Sequence, residues 1–539
     1  MKYCFFIMLF VFGLQATAQH HYWVYFNDKP SQIPAVSNKT LQRYKKAGYE
    51  PTEKDAAINE LYVQQILEAT GGILRTKSRW FNAISVSVSS EAALEKIKAF
   101  TFVSKTVPLK KLLKPTPLYS PPLKERISTH NALQPGVAML NAQFLADRGF
   151  NGEGMTIAVI DNGFKKANEM QAFSHVFSEN RVLGYYDFVD NDTTVFDAGA
   201  GSHGQQVWGF MAARLSDEYV GTAPNASYWL FRTETGLFEQ EVEEDYWLAA
   251  AEMADSVGVD LITTSLNYTT FNDNVNNHTY ADLDGNTTII TKAADEAAKR
   301  GIFVVSSAGN YGSGSWKYVG APADGDSVLA VGAVYANENI AEFSSFGPTS
   351  DGRVKPDVLA WGRDAAYVAN SDVVLSGSGT SFAAPLTAGL VACLWQALPN
   401  KTANEIRLAV IETAQQYNNP TDQRGHGLSD FCAAYKKLGG VFCYEEELAG
   451  DDAIAYAYYN NALKQIELNL DLHGTGVGEV SLFALSGDVI QQLSFEYINE
   501  TGLYQLNIPL PNEGLLHQVI IIQAVLDGME STIKVVVSM

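Results

Sequence analysis

Three polar residues, far apart in the chain, sit where local sequence would hold a reactive group in place. Asp161 ends the apolar run Ile157-Ala158-Val159-Ile160 and precedes the turn residues Asn162-Gly163. A carboxylate at the carboxyl end of a buried parallel strand lies at the edge where α/β sheets place their sites. His203 follows a loop rich in Gly, Ala and Asp, and opens a helical stretch that runs to Ala212. Ser381 lies in Ser376-Gly377-Ser378-Gly379-Thr380-Ser381-Phe382-Ala383-Ala384-Pro385, at a helix start whose small neighbours let a substrate approach the hydroxyl closely. A serine hydroxyl is a weak nucleophile until a base takes its proton, so a carboxylate, an imidazole and a hydroxyl together could do nucleophilic chemistry. Alone, each has a commoner structural use as a turn residue or helix cap.

The elements that must position these groups form an α/β body from Gly149 to about Leu438. Apolar strands at Thr156 to Ile160, Ser227 to Phe231, Asp260 to Thr264 and Ile302 to Ser306 alternate with helical segments such as Asp245 to Ser256 and Thr288 to Arg300. That alternation predicts a mostly parallel sheet with helices on both faces. Ahead of it, His21 to about Leu113 reads as strand, helix, strand, helix, strand. The strand Tyr22 to Phe26, the helix Asp55 to Thr70, the strand Trp80 to Val88, the helix Glu91 to Phe100 and the strand Phe102 to Val107 make a small α+β module. Pro115, Pro117, Pro121 and Pro122 then mark an exposed linker, the kind of segment proteases cut. After Glu445 the helical period fades. Ile466 to Leu472 alternates, and strands at Val480 to Leu485 and Ile533 to Val537 predict a β-sandwich-like tail.

Composition limits the function classes. Of 539 residues, 46% are hydrophobic and 18% charged, which excludes a mainly disordered chain. The formal charge of -22 argues against general binding to nucleic acid or anionic membranes. It is unevenly spread: residues 20–130 hold 17 Lys/Arg and 9 Asp/Glu, a net of +8, while residues 131–539 hold 20 and 51, a net of -31. Lys2, the apolar run Tyr3 to Leu14 and the small residues Ala16-Thr17-Ala18 read as a signal peptide cleaved before Gln19, too short to span a bilayer. No later run spans either. Of the four cysteines, Cys4 leaves with the signal, Cys393 reads as helix core, and Cys432 and Cys443 are near enough in sequence to pair.

The segments around Asp161, His203 and Ser381, in that order, resemble the subtilisin-like serine peptidases, and Gly379-Thr380-Ser381-Phe382-Ala383-Ala384-Pro385 is the most specific of them. Val305-Ser306-Ser307-Ala308-Gly309-Asn310 looks like the family's oxyanion segment, and Asp260-Leu261-Ile262-Thr263-Thr264-Ser265-Leu266-Asn267 resembles its substrate-binding strand. Phe343-Ser344-Ser345-Phe346-Gly347-Pro348 and Lys355-Pro356-Asp357-Val358 match structural stretches of the same family. The resemblance implies a serine endopeptidase acting on polypeptides. Ser381 is then the nucleophile, His203 the general base and acid, Asp161 its orienter, and Asn310 the side-chain oxyanion donor. Ser265, Leu266, Asn267, Ser307 and Gly309 would bind the substrate backbone and side chains. Two positions depart from the family. Gln205 and Gln206 follow the histidine where Thr is usual at the second place, and Asn267 stands where Gly is common. They are the support for a second reading, a catalytically weak or silent binding protein of the same fold at the cell surface. The order Asp, His, Ser excludes an α/β-hydrolase esterase.

By the same resemblance, the front module is an inhibitory propeptide whose segment Phe102 to Leu113 faces the cleft, and opposite net charges favour its docking. The expected domains are a signal peptide at 1–18, a propeptide at 19–113, a linker at 114–132, a catalytic domain at 133–445 and a β domain at 446–539. The tail, with Val480 to Val489 and Lys534 to Val537, looks like the sorting domains of type IX secretion, although Asp488 stands where arginine is common. No metal or other cofactor is assigned. Asp282, Asp284 and Asn286, with Asn274, Asn276 and Asn277 upstream, offer oxygen ligands suited to calcium, but a surface loop whose Asn286 or Thr287 caps the next helix is the preferred reading. His473-Gly474-Thr475 copies the histidine segment superficially and is expected to be a strand-ending turn.

Overall fold

The run Tyr22-Trp23-Val24-Tyr25-Phe26 is apolar at every position because both of its faces are covered. In the computed structural model, which describes residues 20–30, 36–109, 132–197, 199–216, 218–235, 239–271, 277–440, 443, 454–460, 465–484, 489–510, 519–526 and 529–536, it lies in strand β1 (His20–Phe26). The front module continues through α1 (Asn38–Ala47), α2 (Glu60–Thr70), β2 (Ile73–Ser78), β3 (Ala83–Val88), α3 (Glu91–Lys98) and β4 (Val103–Leu109). Its four strands form an antiparallel sheet in the order β2-β3-β1-β4. Tyr22, Val24 and Phe26 point into the module's own core with Ile66, Val86 and Ile97. Trp23 points the other way, into a core shared with the α/β body. Sequence pattern misses two elements here, α1 and β2. The expected signal peptide, most of the linker and positions 110–113 fall outside the described residues.

The body is built on seven parallel strands: β5 (Thr156–Asp161), β6 (Val182–Asp187), β7 (Ser227–Arg232), β8 (Leu261–Thr264), β9 (Phe303–Ser307), β10 (Val328–Val334) and β11 (Val358–Trp361). Their order is β11-β10-β9-β8-β5-β7-β6. β5, β8, β9, β10 and β11 are buried at every position, as strands covered on both faces must be. The helices include α4 (His203–Ala212), α5 (Val242–Val257) and α6 (Ile289–Lys299). A hairpin of β12 (Ala365–Val368) and β13 (Val374–Gly377) leads into α7 (Thr380–Ala397). α7 is buried along almost its whole length, including Cys393. Trp247, Leu248, Ala251 and Ala254 of α5 meet Trp23, Trp80, Ala83 and Leu109 of the front module in the shared core. Small residues on α5 let the module's sheet come close.

Thr288 itself, not Asn286 or Thr287, caps α6: its side chain accepts from the Thr291 N–H. The Asp284 carboxylate accepts from Asn286 N–H and Thr287 Oγ, which makes a closed local turn. Asp282 closes a capping box with Thr279, and Asn277 accepts from Phe271 N–H; Asn274 and Asn276 are outside the described residues. Cys432 and Cys443 are both disulfide-bonded, while Cys393 is free and buried. Among the described residues no helix is long and apolar enough to cross a membrane.

Residues from Gly439 onward form a second compact unit. Strands β14 (Ile454–Asn460), β15 (Gln465–Ala484), β16 (Val489–Pro509), β17 (Val519–Leu526) and β18 (Met529–Val536) make one antiparallel sheet. β15 is the hub. Its first part pairs with β14, its last part with β17, and nearly all of it with β16. Ile466, Leu468, Leu470 and Leu472 supply much of the core. His473-Gly474-Thr475 is therefore not a strand-ending turn: it lies inside β15, at a register shift between Gly474 and Gly476 that absorbs an extra residue.

Candidate active site

Asp161 occupies the carboxyl end of β5 and is fully buried. Its Oδ1 accepts from the Asn162 N–H at 2.7 Å and faces His203 Nδ1 at 2.8 Å, with Oδ2 at 3.1 Å from the same nitrogen. A carboxylate that accepts through both oxygens holds the ring proton on Nδ1, which leaves Nε2 as the basic nitrogen on the far side of the ring. His203 is placed by its backbone as well. Asn162 Oδ1 accepts from the N–H groups of His203 at 3.2 Å and Gly204 at 3.4 Å, so one loop carries the carboxylate and caps the helix bearing the imidazole.

Ser381 stands in the first turn of α7 and is 9% exposed. Two ties fix it to the end of β8: Ser265 Oγ donates to the Ser381 carbonyl at 3.0 Å, and Ser381 Oγ donates to the Ser265 carbonyl at 3.5 Å. The second is too long to hold the hydroxyl firmly. The helices bearing His203 and Ser381 are locked together by Phe210 stacked on Phe382, ring centroids 4.9 Å apart. Gln205, the departure after His203, is fully buried and donates to the Val368 carbonyl at 3.0 Å. It therefore ties α4 to the hairpin that delivers α7.

The segment expected to form the oxyanion site is organised by Thr380. Asn310 Oδ1 accepts from Thr380 N–H at 2.9 Å and Thr380 Oγ1 at 3.1 Å, and Gly309 N–H donates to Thr380 Oγ1 at 3.1 Å. A backbone N–H can only donate, so it must meet the amide oxygen, and the Asn310 Nδ2 end is left as the outward donor. Gly309 has φ +106, and a Cβ there would lie 2.3 Å from Asn267 Oδ1 and 2.9 Å from Ser345 Oγ, so no other residue fits. Asn267 bridges the two segments expected to bind substrate: its Nδ2 donates to the Ser307 carbonyl at 2.6 Å and contacts Ser307 Oγ at 3.3 Å, while Tyr311 OH donates to the Asn267 carbonyl at 3.0 Å. Ser265 and Ser307 are buried, and Leu266 and Asn267 half-buried.

Asn162, Thr380, Ser345, Tyr311 and the Phe210–Phe382 pair are site residues that sequence reasoning missed; Thr380 was within reach, because it adjoins the serine. Pattern reading also missed a carboxylate group. Glu234, Glu239 and Glu243 bring one oxygen each within 4.8 Å of one another. Burial, and then mutual repulsion, pushes Glu239 up to about 8 and Glu234 well above the usual carboxylate range; burial pushes Glu243 up to about 7. Glu234 accepts from Tyr268 OH and Thr233 Oγ1, and Glu243 from Thr235 and Gln240. Hard oxygens at this spacing could take a cation, yet donors already approach them, so they read as carboxyls that share protons.

The carboxylate–imidazole pair, the serine at a helix start and the amide that Thr380 orients are thus carried by elements of one α/β body, two of them joined by the Phe210–Phe382 stack. The family model described as "Subtilase family" matches residues 152–428, and that described as "Peptidase S8 propeptide domain, Bacteroidota" matches residues 21–121. Subtilisin DY of Bacillus licheniformis is 30% identical over 285 residues, covering 52% of this chain and 90% of its own. Subtilisin NAT of Bacillus subtilis subsp. natto is 28% identical over 416 residues, covering 74% and 94%. The fold matches a crystal structure of an epidermin leader peptide processing serine protease from Staphylococcus aureus, with TM-score 0.53 and 16% identity over 79% of this chain and all of that one. The chain belongs to the subtilase family of serine proteases and carries a propeptide domain ahead of its catalytic domain.

Proposed function

We propose that the chain is an exported endopeptidase made as a zymogen, with Ser381 as nucleophile, His203 as general base and acid, Asp161 as its orienter and Asn310 as oxyanion donor. The observation that carries this reading is the pair of Asp161 contacts to His203 Nδ1, which leave Nε2 basic. In the reaction, Nε2 takes the Ser381 proton as Oγ attacks the scissile carbonyl. The carbonyl oxygen becomes an oxyanion and accepts from Asn310 Nδ2 and the Ser381 N–H. Collapse of the tetrahedral species breaks the C–N bond, and the imidazolium gives its proton to the leaving amine. Water then repeats the sequence on the acyl-enzyme, with His203 again as base. Asp161 holds the ring in place and stabilises the imidazolium. Loss of one oxyanion donor costs roughly 10²–10³ in kcat, a value known from subtilisin itself.

On the same reading, residues 1–18 are a signal peptide, the front module is an intramolecular inhibitor, the linker at 114–132 is where it is cut, and the β domain from 446 serves secretion or surface attachment. Polypeptides are the substrates. Ser381→Ala tests it: the purified variant should hydrolyse no peptide, take no active-site serine phosphonate and retain the front module by intact mass. A variant that still processes itself, or a native chain that takes no phosphonate, would sink the reading.

A further inference from the structure

Helix α1 contributes nothing to the core of the module it belongs to. That core draws on β1, α2, β3 and α3 and on Ile58, but on no residue between Asn38 and Ala47. The buried side chains of α1 are Thr40, Arg43 and Tyr44, and all three bond to the catalytic body. Thr40 Oγ1 donates to the Asp255 carbonyl at 2.7 Å and Tyr44 OH to Asp255 Oδ2 at 2.7 Å. The Arg43 guanidinium spans both helix ends: Nε donates to the Arg300 carbonyl at 3.0 Å, Nη1 to the Val259 carbonyl, and Nη2 to Asp255 Oδ1 at 2.5 Å.

Lys39 and Lys46, four before and three after Arg43, share its face. Lys39 Nζ meets Asp260 Oδ2 at 2.5 Å and Thr156 Oγ1 at 2.6 Å. Lys46 Nζ donates to the Pro399 carbonyl at 2.5 Å and lies over the Trp395 ring, 4.9 Å from its centroid. The receiving surface is built for cations: it offers the last carbonyls of α5 and α6, the negative ends of two helix dipoles, with Asp255 and Asp260 beside them. It is also flat where the helix lies. A Cβ on Gly258 would stand 2.6 Å from Ser37 Oγ, and one on Gly301 2.7 Å from Ala47 Cβ.

This surface is remote from the cleft. Lys39 touches Thr156, the first residue of β5, and Asp161 is the last. At about 3.3 Å per residue the two edges are roughly 16 Å apart. We propose that the carboxyl ends of α5 and α6 form an exosite for a basic helix, filled here by α1, and that this exosite holds the propeptide on the enzyme after the linker is cut, independently of whatever occupies the cleft. The exosite adds to the shared core and to Arg79, which also pairs with Asp255 and whose N–H donates to Glu252, and contacts spread over one module act together, so losing one alone does not release it. The proposal rests on reading the front module as a segment cut from the body.

The test uses the full chain with Ser381→Ala, so the released module cannot be digested, and an exogenous protease's recognition sequence within residues 114–132. After the cut, dissociation of the front fragment is followed by native mass spectrometry and size exclusion. The parent should stay associated at about 0.15 M salt. Arg43→Ala should dissociate roughly 30-fold faster or more, since removing one partner of a buried charge pair acts on the off-rate. Lys45→Ala removes the same charge from the exposed side of the same helix and should match the parent. Equal rates for Arg43→Ala and Lys45→Ala, or a parent that separates at once, would overturn the proposal. If Arg43→Ala does not fold, Lys39→Ala replaces it under the same criteria. Failure of the catalytic reading shows separately, as peptide hydrolysis by the Ser381→Ala chain.

Discussion

The Gln205 amide donates a 3.0 Å hydrogen bond to the Val368 carbonyl, joining the helix that begins at His203 to the hairpin that delivers Ser381. Its Oε1 is buried with no partner, so Nε2 carries the whole interaction. Gln205→Ala removes that donor and leaves a gap between the two elements. The variant should lose about 1–3 kcal/mol of stability and fall about tenfold in kcat, because small displacements of catalytic groups are costly. Thermal denaturation and steady-state kinetics on a peptide substrate read both; unchanged values of each would show that the tie does not position the site.

Asp161→Asn keeps the shape of the side chain but presents an amide to His203 Nδ1, which favours the wrong tautomer. By analogy with other serine peptidases kcat should drop about 10⁴-fold with little change in KM. The front module should also stay attached far longer, as intact mass would show. A loss of less than tenfold would remove Asp161 from the mechanism.

Asn267 spans the segments that end β8 and β9, with Gly309 pressed against it. On the proposed reading, a substrate side chain entering between those segments would meet the Asn267 amide. Asn267→Gly opens the space and should raise kcat/KM at least about tenfold for a Phe at the cleaved position relative to an Ala, a difference of about 1.4 kcal/mol. Paired chromogenic peptides that differ in that residue measure the ratio, and a constant ratio rules out the role.

Asp245 accepts from Trp23 Nε1 of the front module at 2.7 Å, and burial pushes its carboxyl up to about 7 despite Arg75 and Trp23. On release it regains water and returns toward its ordinary value of 3.8. The docked form thus binds a proton that the released form lacks. The contribution is fully present below the released value and is lost as pH rises through about 7. Glu252, raised by burial against Arg79, has the same sign. His21, beside Arg75, is held down at about 4 by burial and acts oppositely, but only below its ordinary 6.5. Release of the cut module should therefore quicken from pH 6.5 to 8, and Asp245→Asn should flatten that rise. The nicked Ser381→Ala chain gives the rates; an equally steep profile in the variant would refute the assignment.

Much of the candidate site was legible because the chemistry proposed for it is carried by short contiguous runs. Ser381 with its small neighbours, His203 at a helix start and Asp161 at a strand end each declare themselves within about ten residues, and so do the strands buried on both faces. What was illegible depends on partners distant in the chain. The Asn310 amide is oriented by Thr380, and Gln205 finds Val368. Glu234, Glu239 and Glu243 are close in sequence, and what the sequence hides there is their burial rather than their nearness, while the loop at Asp282 to Asn286 closes on itself.

Helix α1 marks the boundary most clearly. Hydrophobic periodicity finds a helix by its apolar stripe, and the buried stripe of α1 carries Arg43, flanked by Lys39 and Lys46, so on its own it reads as a solvated segment. The amino-acid order alone determined the reaction class, the α/β scaffold and the division of charge between front and body. Tertiary structure decided where that charge is used, because only folding brings the carbonyl ends of two helices together to receive a guanidinium.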